Sequence, residues 1–291
     1  MNVSRLKYFY RAPIPGILAF FTVFVWQGLG HTAMVLMENL FGHEYVYHIA
    51  IVMGIAGAWL TWIGRNKSEA AATFYGFTGG SLIWLSWVEF SFHFYARHLG
   101  VEPLMENGEI VTRQEYLVMQ SSLGVLLSSL LFFFFNKETR CNAFMWLHRN
   151  LRMNPGEAQP SKGRNISSIV AMETIYVTWF FYLTLLILYD EAWAGDQHPA
   201  TYVAFGVFLI WSIYLLQRLL RFQRMAPALR YGIPTAIICY NCWEILERWD
   251  IINDFWVSPQ KYAVHLSVIL GSFVLAIVVS LLSPARQPVE N

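Results

Sequence analysis

Glu89 and His93 stand four residues apart in the stretch WVEFSFHFYARH, Trp87 to His98, at the end of a nearly uncharged apolar run. On a helix that spacing places a carboxylate and an imidazole on one face. A carboxylate supplies charge and hard oxygen. A neutral imidazole supplies nitrogen, oriented by the hydrogen bond on its other ring atom. Ionisable groups in an apolar segment are costly unless paired or bound to a cation. Other acids repeat the theme. His31 and Glu38 share a face at i, i+7; Glu244 and Glu247 do so at i, i+3, with Asp250 continuing it; Asp190 and Glu191 close a later apolar run.

This inventory matches the needs of a carboxylate-bridged dimetal site in a helix bundle, one Glu from each of two helices and a Glu–His pair from each of two more. Glu38 and Glu191 would be the single acids, Glu89/His93 and Glu244/Glu247 the paired positions. His31, His48, His98, Asp190, Asp250 and His265 are secondary candidates. Carboxylate and imidazole suit iron or zinc, with copper if histidine dominates. The spacing departs from the soluble Glu-x-x-His pattern, so membership of the di-iron oxidases does not follow. Two plainer readings compete. The acids could be neutralised by Arg97 or Arg248, or they could sit hydrated among headgroups, the expectation for His43, Glu44, His98, Asp196 and His198. Glu102, Glu106, Glu109 and Glu115 read as a solvated loop.

Cys239 and Cys242 form a C-x-x-C, but there is no second thiol pair, and helical i, i+3 geometry disfavours a disulfide. They read as packing residues, with a soft copper site as the outside reading. No phosphate-binding loop, dinucleotide fingerprint, nucleophile elbow or H-E-x-x-H is present.

The elements that must position these residues are membrane helices. Of 291 residues, 56% are hydrophobic and 13% charged, against about one-quarter charged in soluble domains. A net charge of +1 gives no basis for nucleic-acid binding. Apolar runs predict eight spans, at 14–40, 45–64, 72–97, 116–135, 166–190, 201–220, 229–249 and 262–282. The first reads as a retained span, not a cleaved signal. The seventh is the least apolar, so neighbours must shield it. With both termini cytoplasmic, all but four of the twenty Lys and Arg (Arg97, Arg113, Arg248 and Lys261) face inward, as the positive-inside rule asks. Fourteen of the nineteen acids fall on the outer side. A bacterial inner (plasma) membrane fits.

The chain divides into a first four-helix half (1–140), a cytoplasmic interfacial helix and flexible linker (141–164), and a second four-helix half (165–291). Glu38 and Glu89 are spaced much as Glu191 and Glu244 are, and Trp87 and Trp243 precede the second acid of each pair. That suggests two parallel repeats. The fold class is all-α integral membrane protein. The leading functional reading is an extracytoplasmic metal site serving a metal-dependent oxidase or hydroxylase, a membrane oxidoreductase acting on a hydrophobic substrate. The alternatives are a cation or small-solute transporter with an acidic outward vestibule, and a non-catalytic subunit of a membrane complex. The expected partners are the lipid bilayer, a hydrophobic or cationic small molecule and other membrane subunits.

Overall fold

A computed structural model describes residues 11–106, 109–136, 141–154, 164–253, 255–256 and 258–282. Most of the linker expected over 154–165, together with Asp254, lies outside them. The fold is all-α and largely helical. In chain order come α1 (Ile14–Gly42), α2 (Glu44–Asn66), α3 (Glu69–Ile83), a π turn (Trp84–Glu89), α4 (Phe90–His98), a hairpin of β1 (Leu104–Glu106) and β2 (Glu109–Thr112), α5 (Gln114–Gln120), α6 (Leu123–Phe135), α7 (Asn142–Asn150), α8 (Ile166–Tyr189), α9 (Pro199–Leu219), α10 (Met225–Arg248) and α11 (Ala263–Leu281). The strands pair antiparallel, with Leu104 opposite Thr112 and Met105 opposite Ile110.

Among the described residues, five helices are long and apolar enough to cross a membrane: α1, α2, α8, α9 and α11. A sixth is reached if α5 and α6, bent by 44° at their junction, count as one broken span. This fits a multi-pass membrane protein. The eight-span expectation exceeds what these helices establish, for local reasons. The third expected span is helical but interrupted by the π turn. The seventh, α10, carries Pro234, Asn241, Glu244 and Glu247 within one helix.

The chain forms two compact units, one of residues 1–43 and 202–291, the other of residues 44–201. The boundary falls beside Gly42, whose φ of 63° and ψ of 177° break the long helix into α1 and α2. Only glycine takes that conformation without strain.

In the 44–201 unit, α3 packs backbone to backbone. A Cβ on Gly80 would stand 2.6 Å from the Ala171 carbonyl oxygen of α8, and one on Gly76 would strike the Ser167 carbonyl. On its other side, a Cβ on Gly79 would stand 2.6 Å from the Gly57 carbonyl of α2. Small residues let membrane helices approach this closely, and van der Waals contact then replaces the hydrophobic effect as the driving force. Beside this contact, Trp84, Met119, Leu126, Leu183 and Leu186 form a buried cluster, flanked by Tyr116, Trp179 and Tyr182. In the other unit, Tyr240, Trp256 and Leu266 are the buried centre, with Phe24, Trp243 and Phe255 around them. The Trp256 indole lies on Gly28, where any Cβ would enter the ring. Thr32 locks that loop by donating from Oγ1 to the Trp256 carbonyl at 2.9 Å.

Candidate functional site

In the unit of residues 1–43 and 202–291, His31 and Glu244 meet. His31 lies well inside the α1 span, and Glu244 begins the last turn of α10. His31 Nε2 and Glu244 Oε1 are 3.1 Å apart, with side-chain exposures of 32% and 16%. The pair is therefore partly hydrated. The Tyr240 ring, one turn before Glu244, stacks over the imidazole at 6.0 Å and 17°. Trp243 donates its indole N–H to Glu247 Oε1. Thus α10 presents two carboxylates, one bound to an imidazole and one to an indole. Asn241 of the same helix is 4% exposed, and its Nδ2 has no hydrogen-bond partner among the described residues. Glu38, further along α1, is half-buried.

In the unit of residues 44–201, Glu89 ends the π turn and is 6% exposed. Tyr182 of α8 donates its hydroxyl to Glu89 Oε1 at 3.2 Å. The Tyr182 ring is held edge-on by Trp84 at 6.2 Å and by Tyr116 at 6.5 Å. Asp190, also buried, accepts from Gln120 Nε2 at 2.8 Å and from the Ala192 backbone N–H at 3.0 Å. It ties α5 to the turn after α8. His93 is half-buried, its ring 6.0 Å from Phe90. Arg97 donates to the Tyr47 hydroxyl at 2.8 Å. Glu191 is exposed, with its carboxylate folded over Gly195. His48, His98, Asp250 and His265 are all exposed; His98 stacks on Phe94 and His265 stands edge-on to Tyr262.

These placements overturn the metal reading. Among the described residues, no three His, Cys, Asp or Glu come together in a group that could hold a metal ion. The iron, zinc or copper cofactor and the metal-dependent oxidase or hydroxylase are corrected accordingly. Helical spacing located the acids but not their neighbours. Glu244 faces an imidazole, Glu247 an indole and Glu89 a phenol, and these partners supply donors for hydrogen bonds in place of further ligands. Cys141, Cys239 and Cys242 are all free thiols. Burial pushes the Cys141 thiol up, which disfavours its reactive thiolate.

Sequence reasoning missed Tyr182 and Tyr240, the residues that hold Glu89 and His31. Each was one tyrosine among fifteen, and nothing local distinguishes a tyrosine that reaches a distant carboxylate. Tyr182→Phe removes one donor from a buried acceptor and should lower stability by about 1–3 kcal/mol. Detergent thermal unfolding checks this; an unchanged midpoint would show that Tyr182 does not support Glu89.

Comparison of the chain with protein-family models, with curated proteins and with solved structures finds no match.

Proposed function

We propose that this chain is a transporter of a cation or small solute, with the His31–Glu244 pair as the place where a proton and the transported cation compete. The single observation that carries this is a carboxylate–imidazole contact of 3.1 Å between an apolar span and the most polar helix of the same unit. Ionisable residues placed within membrane segments characteristically line ion and proton pathways. Imidazole is also the side chain whose charge changes near neutral pH. Glu244 can be neutralised by protonated His31 or by an arriving cation, and the two exclude each other.

A further feature supports the reading. The polar helix α10 carries Pro234 in its interior, where one backbone hydrogen bond is lost. Interrupted helices are common around transporter binding sites because they free backbone groups. In the full proposal the chain spans the membrane eight times with both termini in the cytoplasm. Fourteen acids then lie on the outer side, where their summed field raises the local cation concentration.

The test is uptake, because exchange of one proton for one monovalent cation moves no net charge. The full chain is reconstituted into liposomes, and entry of labelled sodium, rubidium in place of potassium, or tetramethylammonium is followed. Saturable uptake absent from protein-free liposomes is the expected result. No uptake of any of these cations would contradict transport and favour the non-catalytic subunit.

A further inference from the structure

The helix α7 is built into the side of the 44–201 unit and leaves one of its faces uncovered. Its first turn is capped by Cys141, whose sulfur accepts from the Phe144 N–H at 3.5 Å. Phe144 and His148, four residues apart, are its buried residues. The His148 ring lies flat on Phe134 of α6, 4.2 Å between centroids and 3° between planes. Phe144 stacks on Tyr176 of α8 at 5.7 Å. These contacts fix α7 against α6 and α8, one of the long apolar helices.

The uncovered surface carries large apolar residues beside positive charge. Trp146 is 57% exposed, Leu147 37% and Leu151 60%. Arg149 and Arg152 are both exposed. A short amphipathic helix with tryptophan and leucine on one side and arginine on another lies in the boundary between headgroups and acyl chains. Arginine suits phosphate recognition because its planar fork of donors matches the oxygens of a phosphodiester. Two arginines with no acid among residues 142–153 set the sign of the partner.

We propose that α7 is an anchor for anionic phospholipid: Trp146, Leu147 and Leu151 enter the acyl boundary of the bilayer, and Arg149 and Arg152 bind the phosphates of acidic headgroups. Bundle packing through Phe144 and His148 holds the helix in place, so the lipid contact needs no prior folding step. The proposal is independent of transport, since it concerns only the seating of the 44–201 unit in the membrane.

Purified full-length protein in detergent is titrated with phosphatidylglycerol and, separately, with phosphatidylcholine, following the thermal unfolding midpoint. Lipid that binds the folded state raises that midpoint. Phosphatidylglycerol should act at lower concentration than phosphatidylcholine. The variant Arg149→Gln/Arg152→Gln should need about thirtyfold more phosphatidylglycerol, from about 1 kcal/mol per basic residue near an anionic surface. Its phosphatidylcholine response should be unchanged, and Arg149→Lys/Arg152→Lys should keep most of the preference. Independently, brominated phosphatidylglycerol should quench a share of tryptophan emission that Trp146→Phe removes. The proposal is overturned by equal responses of the wild type to the two lipids, by a glutamine variant that keeps the preference, by the same stabilisation with inorganic phosphate, or by quenching that Trp146→Phe leaves unchanged.

Discussion

Glu244→Gln should reduce cation uptake to the level of protein-free liposomes while the protein stays folded. The substitution removes the charge that pairs with His31 and retains size and hydrogen-bonding capacity. Because the pair is partly hydrated, with exposures of 32% and 16%, its contribution to stability is modest, about 1 kcal/mol or less. Function and stability therefore separate. His31→Ala should lower uptake without abolishing it, for a different reason: Glu244 keeps its charge but loses the group that exchanges a proton with it. The wild-type uptake should depend on pH, and the residual uptake of His31→Ala should not. A structural role for the pair predicts the reverse pattern, a lowered unfolding midpoint with transport intact in the surviving protein.

The largest effect on folding should come from Gly80→Leu. At Gly80 a Cβ alone would stand 2.6 Å from the Ala171 carbonyl oxygen, and backbone cannot swing aside as a side-chain tip can. Leucine would drive α3 away from α8 and open the buried cluster of Trp84, Met119 and Leu183 beside that contact. Overpacking of this kind costs about 3 kcal/mol or more where the neighbour is rigid. Gly124→Leu on α6 is the matched control, because among the described residues nothing lies within 4 Å of a Cβ there. Unfolding of both variants in detergent gives the comparison. Equal midpoints would mean that the α3–α8 approach is not what holds the unit together.

Hydropathy made the long apolar helices legible. The runs at 14–40, 45–64, 166–190, 201–220 and 262–282 correspond to α1, α2, α8, α9 and α11 within a few residues. Insertion into lipid depends on the sum of side-chain transfer energies along a segment, and a sequence displays that sum directly. The breaks were less visible. Gly42 turns the chain through a conformation other residues avoid, and the π turn at Trp84–Glu89 shifts the helical register by one residue. Such an insertion turns the preceding face by about 100° relative to the following one. Neither leaves a mark in an apolar average.

The candidate site was legible as an inventory but not as an arrangement. Helical spacing singled out Glu89, Glu244, Glu247 and His31 as ionisable groups set in apolar surroundings. What each one touches is decided by contacts between distant segments. Tyr182 reaches Glu89 across 93 residues of sequence, and His31 reaches Glu244 from another helix. A carboxylate that accepts from a phenol or an indole has the same sequence signature as one that binds a metal. The metal reading failed there, at the identity of the neighbours.

The most direct measurement of the central claim is lumenal pH during cation entry. Liposomes holding the full chain and a trapped pH dye receive a step in external cation. If proton and cation compete at His31–Glu244, cation entry drives proton exit and the lumen becomes more alkaline. Neither His31→Ala nor Glu244→Gln should show the change. Lumenal pH that stays constant in the wild type, or that shifts equally in wild type and both variants, would contradict the account.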